Sequence, residues 1–277
     1  MGYEDFLIRG IDKKKSRSEL SPIMKDAREK AKEILKNPEY VIQESDFKPI
    51  YGDSVVEKDI KTTENLERIF TSRSTPEGIR TKEVADIFEA IVLMQSELGE
   101  WFGENARTLK TARYDDYTNK VDMVAEWFTP TDGSRLLALA VDVTFGTSSI
   151  QHKLQTIKEE IDNDKLGSIK YFKDDRGDFI GTRNNVPRTI IGVSEAMIEE
   201  LAGLWMQRKN KDLGEHPVQR LFLDQIESQL VAMHEYASKQ GKSGVIFAYE
   251  QALVTIRTIR ADKEKFYSEK TSEDPVA

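Results

Sequence analysis

The chain has 277 residues, and its 41 Lys and Arg against 49 Asp and Glu give a formal net charge of −8. Because it contains no cysteine, disulfides, iron–sulfur clusters and thiolate metal sites are excluded, and three scattered histidines leave little for a histidine-based zinc site. It has no apolar run near the roughly 20 residues that a membrane helix needs, and its N-terminus lacks the apolar stretch of a signal peptide. We therefore expect a cytoplasmic protein without a membrane partner.

The first 78 residues are predicted to form a helical and irregular N-terminal segment. Apolar residues at helical spacing indicate a helix after a polar tail, and a Thr-Pro-Glu-Gly sequence is typical of a break. The predicted elements are, in order, a polar tail at 1–15, a helix at 16–37, short extended pieces at 40–42 and 54–56, a helix at 63–73 and a break at 75–78.

The longest periodic segment covers residues 79–113, where apolar residues return with a period near 3.6 and predict a single long helix. Gly99 and Gly103, four residues apart, indicate that another stretch of backbone approaches this face closely. Gln95 falls inside the apolar stripe, and Glu97 lies near its edge. Two interpretations of this polar pair stay open, a functional position or a hydrogen-bonded pair at the rim of the core.

Two strands are predicted at 121–128 and 135–144, and the turn residues between them predict a β-hairpin. If the loop covers 130–134, one face of the hairpin is apolar at every position, whereas a register shifted by one residue mixes the faces. This register places Asp122 directly across from Asp142, with Cβ atoms roughly 5 Å apart.

The facing carboxylates of Asp122 and Asp142 repel each other on a buried strand pair, so we expect something to compensate their charge. A Mg²⁺ or Mn²⁺ ion does so naturally, because both cations prefer oxygen ligands. The alternatives are that one carboxyl group is protonated or that a basic residue bridges the pair. The basic candidates are Lys120, Arg107 and Lys153.

The rest of the chain alternates between helix and strand and then becomes helical. The predicted elements are a helix at 148–162, strands at 168–172 and 188–193, and helices at 194–209, 217–239 and 245–265. These patterns predict an α/β (α+β) fold with a small central mixed sheet. We divide it into an N-terminal segment at 1–78, an α/β core at 79–193 and a C-terminal helical region at 194–277, and we expect one compact unit.

The order of these acid-bearing elements resembles the metal-dependent PD-(D/E)XK nuclease superfamily. Its core has a helix bearing an acid, an antiparallel hairpin with one acid on each strand, a crossover helix and a further strand. Asp122 and Asp142 match the two acids that bind the metal in that family. The resemblance, which covers 79–175 at most, implies a restriction-endonuclease-like core, Mg²⁺ or Mn²⁺ as cofactor, and Glu97 or Glu100 as the acid on the helix.

Two features depart from the pattern of that family. No Pro precedes Asp122, and Thr144 stands where the family has the lysine that positions or activates the attacking water. Some members supply that lysine from a neighbouring element, and Lys153 on the next helix is the candidate here. Without such a lysine, the resemblance implies an inactive relative that keeps only the fold.

Charged residues beside the hairpin extend the predicted site. Asp115 and Asp116 come just before the first strand, and either is a candidate to reach the metal; the alternative is an acidic turn at the entry to the strand. The candidates for binding a phosphate backbone are Arg107, Lys110, Arg113 and Lys120. The net negative charge confines such binding to a local basic groove. The alternative for the first three is that they complement a helix C-terminus.

The expected function is a nuclease that hydrolyses phosphodiester bonds in DNA or RNA. Asp122 and Asp142 hold the cation, with Glu97 and Asp116 as further candidate ligands. Lys153 orients the water or stabilises charge in the transition state. Two alternatives stay open: a catalytically inactive nuclease-like module that binds protein or nucleic acid, and a scaffold protein that forms homo-oligomers through the C-terminal helices.

Overall fold

The structure is a computed structural model, and it describes residues 19–129, 133–143, 147–174 and 177–273. Side chains are described up to Trp127 and again from Gln151 to Glu264, apart from 175–176. The helices are α1 (Pro22–Ile34), α2 (Lys48–Tyr51), α3 (Asp53–Arg73), α4 (Pro76–Leu98), α5 (Thr147–Asp162), α6 (Glu195–Met206), α7 (Asn210–Gly214), α8 (Val218–Lys239) and α9 (Ser243–Glu273). The strands are β1 (Ala106–Lys110), β2 (Met123–Thr129), β3 (Gly133–Val143), β4 (Gly167–Lys173), β5 (Ile180–Val186) and β6 (Arg188–Val193). The described residues also contain two single turns of helix, Glu44–Phe47 and Asp115–Asn119, and a parallel β-bridge between Val41 and Lys110.

α3 is one long helix where the sequence predicts an extended piece at 54–56 and a separate short helix at 63–73. The buried residues of α3 are Val56, Asp59 and Thr63. Because two of these three residues are polar, the apolar periodicity that marks a helix is weak along this segment. The predicted extended piece is therefore wrong, and the predicted helix is the second half of α3.

α4 begins at the residues for which the sequence predicts a break. The Thr75 hydroxyl accepts a hydrogen bond from the Gly78 amide at 3.1 Å, which caps the helix, and Pro76 takes the first helical position. The expected continuation of this helix to residue 113 is wrong, because α4 ends at Leu98 and β1 follows.

The expected close approach of another stretch of backbone is confirmed at Gly99, whereas at Gly103 the neighbour is a side chain. A Cβ atom at Gly99 would lie 3.0 Å from the Cα of Gly214, and one at Gly103 would lie 3.3 Å from the side chain of Ile259. Gly103 also has a φ of +95°, which side chains rarely adopt. Gly99 therefore lets α7 pack closely against the end of α4, and Gly103 lets Ile259 of α9 pack closely against the segment that follows.

The central sheet has four strands in the order β1–β2–β3–β6. β1, β2 and β3 are antiparallel neighbours, whereas β6 runs parallel to β3. The connection between β3 and β6 contains α5 and a separate two-stranded antiparallel sheet, β4–β5. The expected α+β class with a small mixed sheet is therefore confirmed.

The strand expected at 168–172 to complete the central sheet instead forms β4 of the second sheet. The partner of β3 is β6, and all six residues of β6 are buried. A strand that is covered on both faces carries an unbroken apolar run, as in the sequence TIIGV, whereas β4 alternates between buried and half-buried residues over most of its length.

The β2–β3 ladder closes at the pair Thr129↔Gly133. One step beyond its other end, Asp122 lies level with Ala140 rather than with Asp142, so the expected direct pairing of the two acids is wrong. The strands are joined by three residues, which lie outside the described part of the chain, instead of the five expected. Because the two registers differ by two residues, both keep the same residues on the same face, and the hydrophobic pattern cannot separate them.

One large apolar core joins the sheet to the helices. It contains residues of α1, α4, α5, α6, α7, α8 and α9 together with β2 and β6. A smaller core lies between the central sheet and the β4–β5 sheet and consists of Val121, Val124, Ile169, Phe172 and Val186. The central sheet therefore has helices on one face and the small second sheet on the other. No helix in the described part of the chain combines the length and the apolar character needed to cross a membrane.

Two glutamines of α8 cover the edge strand β6. The Gln229 side chain accepts a hydrogen bond from the Ile190 amide at 2.7 Å and donates one to the Ile190 carbonyl at 2.6 Å. One turn earlier, Gln225 accepts from the Gly192 amide at 3.0 Å and donates to the Gly192 carbonyl at 2.9 Å. The two side chains replace a neighbouring strand, so they protect this edge from pairing with another chain and fasten α8 to the sheet.

Candidate functional site

Charged side chains from four parts of the fold meet at the end of the sheet where β1 ends and β2 begins. They are Glu89 of α4, Lys110 at the end of β1, Asp116 of the helical turn Asp115–Asn119 and Asp122 just before β2. We call these four residues the acid–lysine cluster and the turn the acidic turn. The antiparallel pairing of β1 and β2 brings the end of one strand beside the start of the next, which places the cluster there.

Lys110 connects the acids of the acid–lysine cluster. Its ammonium group donates hydrogen bonds to the Glu89 carboxylate and to Oδ2 of Asp116, the latter at 3.2 Å. The residue is only 8% exposed. Burial alone would lower the pKa of Lys110, but the negative charges of Glu89 and Asp116 outweigh burial and raise this pKa. Lys110 is therefore a permanent cation among carboxylates.

Glu89 titrates far from its ordinary range. Burial raises the pKa of Glu89 to about 7; Lys110 opposes this shift, and the charges of Asp116 and Asp122 add to it. Burial also raises the pKa of Asp86, one turn earlier on α4. A carboxyl group that titrates near neutral pH can accept and release a proton under ordinary conditions, as a general base or acid must.

The acidic turn is held in place by the first of its two acids. The Asp115 carboxylate is fully buried and accepts hydrogen bonds from the backbone amides of Lys170 and Tyr171 at 2.7 and 2.9 Å. The Asn119 side chain donates to the same carboxylate at 2.5 Å. Asp115 therefore fastens the turn to β4, in agreement with the turn interpretation, whereas Asp116 belongs to the acid–lysine cluster.

The acid that α4 brings to the cluster is Glu89 rather than Glu97. Glu97 is exposed near the C-terminal end of α4, eight residues and so about 12 Å along the helix axis from Glu89. Glu100, the other candidate, lies beyond the end of α4 and is exposed as well. The sequence does contain a signal for Glu89, because this acid interrupts the apolar run IFEAIVL in the middle of the helix.

The two hairpin acids lie at the same end of the sheet. Asp122 is part of the cluster, where its charge contributes to the raised pKa values of Glu89 and Lys110. Asp142 is described by its backbone alone, which pairs with Gly192 one residue before the end of β3. Because β2 and β3 are antiparallel, the start of β2 and the end of β3 lie side by side.

Two residues bear on the expected catalytic lysine, and the structure describes one of them. Thr144 lies outside the described residues. Lys153 is half-buried in the second turn of α5, and its expected role in orienting a water stays a prediction.

The four basic residues expected to bind a phosphate backbone have different environments. Lys110 is buried and paired with two carboxylates, which contradicts its expected contact with a phosphate. Arg107 is half-buried on β1, whereas Arg113 and Lys120 are exposed beside the acidic turn. The alternative, that the first three complement a helix C-terminus, is wrong because α4 ends before all of them.

Within the part of the chain whose side chains are described, no group of three or more His, Asp or Glu could hold a metal ion. The ammonium group of Lys110 already binds Glu89 and Asp116, so a cation of the protein itself engages these two acids. Carboxylates are nevertheless the ligands that Mg²⁺ and Mn²⁺ prefer. The expected metal site of Asp122 and Asp142 stays a prediction, because Asp142 is described by its backbone alone.

No family model matches this chain. No curated protein and no solved structure matches it either. The function is therefore inferred from the position and chemistry of the acid–lysine cluster.

A cleft of about 620 Å³ lies at the opposite end of the sheet, where β2 ends. Its lining includes Trp127, Gln219 and Lys263, and the Lys263 ammonium donates to Oε1 of Gln219 at 2.7 Å. Burial lowers the pKa of Lys263, against the opposing charge of Glu100. No residue of the acid–lysine cluster lines this cleft, so the predicted site and the cleft are separate places on the described surface.

The C-terminal helices carry exposed apolar residues. On α9, Phe247 and Val254 are 66% and 54% exposed and lie seven residues apart, on one face of the helix. The expected homo-oligomer through these helices stays a prediction.

Proposed function

We propose that the protein is a Mg²⁺- or Mn²⁺-dependent nuclease of the PD-(D/E)XK type that hydrolyses phosphodiester bonds in DNA or RNA. The observation that carries the proposal is that Asp122, just before β2, lies at the end of the sheet where β3 places Asp142, within electrostatic range of Glu89 on α4. The order of elements supports it. An acid-bearing helix, an antiparallel hairpin, a helix in the crossover connection and a further strand of the same sheet occur in this order as α4, β2–β3, α5 and β6, with β1 and the acidic turn between α4 and β2 and the β4–β5 sheet between α5 and β6.

The register of the hairpin remains compatible with a shared cation. Residues offset by two positions on neighbouring antiparallel strands are diagonal neighbours, roughly 7–8 Å apart. Asp122 and Asp142 have this offset. Two carboxylates at such a separation can bind one cation between them, because each side chain has to cover about half of the distance.

In the proposed site, Asp122 and Asp142 would hold the cation, which when bound would lower the pKa of a water and offset the charge of the phosphate. Glu89 holds a proton on its carboxylate or releases it near neutral pH. Lys110 keeps the carboxylates of Glu89 and Asp116 in fixed positions. Lys153 remains the candidate for orienting the water.

The test is cleavage of labelled single- and double-stranded DNA and RNA in the presence of Mn²⁺. We expect Asp122→Asn and Asp142→Asn each to lower the cleavage rate at least about 100-fold, as the loss of a charge-stabilising group does. Asp26→Asn is the matched control, because Asp26 is exposed on α1 far along the chain from the cluster. Thermal unfolding of each variant checks that it is folded. Wild-type cleavage that both variants retain, or no cleavage of any substrate by the wild type, contradicts the proposal.

A second candidate is a non-catalytic module of the same fold that binds nucleic acid or protein. One observation favours it: the ammonium of Lys110 already engages two of the acids. Calorimetric titration with Mn²⁺ separates the two candidates. The nuclease binds the cation and Asp142→Asn weakens that binding, whereas the non-catalytic module does not bind it.

A further inference from the structure

Two aromatic rings and two lysines form a row beside the acid–lysine cluster. The ring centroids of Phe70 and Tyr117 are 6.1 Å apart. The Lys120 ammonium lies 5.5 Å from the Phe70 centroid, and the Lys82 ammonium lies 5.8 Å from the Tyr117 centroid. We call these four residues the aromatic row. It adjoins the cluster, because Tyr117 directly follows Asp116 in the acidic turn.

An ion pair holds the aromatic row in position. Arg113 donates to both oxygens of the Glu67 carboxylate, from Nε at 3.1 Å and from a terminal nitrogen. Glu67 and Phe70 are three residues apart on α3, so their side chains share one face of the helix. Arg113 and Tyr117 are four residues apart in the helical backbone that includes the acidic turn. The ion pair therefore fastens α3 to this segment and sets the two rings side by side.

Half of the Phe70 side chain is open to solvent. It is 50% exposed, and Lys82 and Lys120 are exposed as well. A single exposed aromatic ring is common on protein surfaces and needs no explanation. Here, however, the ring packs beside a second ring, and an ammonium group lies over each of the two rings. An aromatic face for a base and cations for the phosphates are the two components with which proteins bind single-stranded nucleic acid.

We propose that the aromatic row binds a single strand of DNA or RNA and directs it to the acid–lysine cluster. A base stacks on Phe70, and the Lys82 and Lys120 ammonium groups contact the phosphates on either side. The bases of a duplex are stacked on each other and paired, so their faces are not open to Phe70. The direction of the strand to the cluster rests on the proposed nuclease function, whereas binding to the row does not require cleavage.

The surrounding charge makes base stacking the main source of affinity. The carboxylates of Asp86 and Asp116 lie near Lys82, Glu67 pairs with Arg113, and the chain as a whole is negatively charged. Neutralising two phosphates on a single strand gives a slope of about −1.4 for the logarithm of the binding constant against that of the salt concentration. Binding by the row therefore depends weakly on salt and strongly on the aromatic ring.

The experiment measures fluorescence anisotropy of labelled 15-nucleotide thymidine and uridine oligomers and of a DNA duplex, without divalent cations. We expect Phe70→Leu to weaken single-strand binding about 5- to 100-fold, since the stacking of one base on an aromatic ring is lost. Ile69→Ala is the matched control, because Ile69 is 44% exposed on the same helix and has no ring. We expect this control to bind as the wild type does. Lys120→Gln should weaken binding and flatten the salt dependence.

Binding and cleavage distinguish this inference from the proposed function. Single-strand binding that Phe70→Leu leaves unchanged, or duplex binding as tight as single-strand binding, overturns the inference even if the protein cleaves nucleic acid with Mn²⁺. Ring-dependent binding by a protein that cleaves nothing supports the inference and removes the nuclease. Binding to neither single strands nor duplex overturns the inference and leaves the row a structural contact between α3 and the acidic turn.

Discussion

Lys110 and Glu89 form a buried ion pair that joins the end of β1 to the middle of α4. Their side chains are 10% and 13% exposed. Removing two charges from water costs solvation energy, which their mutual attraction offsets only in part. Asp116 binds the same ammonium group, and Asp122 lies near, so the cluster contains more carboxylates than lysines. Burial is the main reason why the pKa of Glu89 is raised, and the negative charges of Asp116 and Asp122 add to this shift against the opposing charge of Lys110.

At pH 8, above the pKa of about 7 at which Glu89 releases its proton, we expect Lys110→Met to destabilise the protein by about 3–5 kcal/mol, because the Glu89 carboxylate loses its partner and stays buried and uncompensated. The double variant Lys110→Met, Glu89→Gln should recover part of the lost stability, because it also removes the negative charge of Glu89 that has no partner in the single variant. Urea unfolding measures both effects, and Lys58→Met, at an exposed position of α3, is the control. A single variant as stable as the wild type would show that Glu89 is already neutral in the folded protein.

The raised pKa of Glu89 makes stability depend on pH in a defined window. The ordinary pKa of this carboxyl group is 4.5, and its value in the folded protein is about 7. Between these values the folded protein binds more protons than the unfolded chain, so the free energy of unfolding falls as pH rises through the window. Glu89→Gln lacks this titrating carboxyl group, so its free energy of unfolding should depend less on pH in this window. Denaturant unfolding at several pH values compares the two, and equal slopes would contradict the prediction.

The hydrogen bonds from Gln225 and Gln229 of α8 to β6 can be tested one glutamine at a time. Gln229→Met leaves the buried amide and carbonyl of Ile190 without their partners, which should cost about 1–3 kcal/mol. Hydrogen exchange should accelerate more at the Ile190 amide than at the Gly192 amide, which Gln225 still binds. Gln240→Met, at an exposed position after α8, serves as the control. Equal acceleration at both amides would show that the strand opens as a unit.

The elements that the sequence predicts well are those whose signal is local. The hairpin strands, α5 and β6 each carry their own periodicity or apolar run, and all of them are present. β1 has five residues, ARTLK, and its apolar and polar residues do not alternate clearly. Because β1 follows an irregular segment, the sequence does not separate its hydrophobic pattern from that of the preceding helix. The hairpin register depends on the number of residues in the connection between the two strands. Side chains alternate along a strand with a period of two residues, so the hydrophobic pattern cannot distinguish registers that differ by two.

The residues of the candidate site also differ in how well the sequence predicts them. Asp116 and Asp122 can be named from the sequence, because each acid lies at the entry to a predicted strand. Glu89 cannot be named with equal ease, because its burial arises from the packing of α4 against β1, which is a contact between elements. Lys110 is recognisable as a charged residue, but the sequence does not indicate that its partners are two carboxylates rather than a phosphate.

Replacing Gly99 and Gly203 by alanine should change the free energy of unfolding in opposite directions. A Cβ atom at Gly99 would lie 2.9 Å from Oε1 of Gln95 and 3.0 Å from the Cα of Gly214, and backbone atoms yield little. Gly99→Ala should therefore lower the free energy of unfolding by about 1–3 kcal/mol, as overpacking does. Gly203 lies inside α6 with nothing within 4 Å of the added atom, so Gly203→Ala should raise that free energy by about 0.5–1 kcal/mol. Urea unfolding measures both, and a stabilised Gly99→Ala would contradict the close approach of α7 to the end of α4.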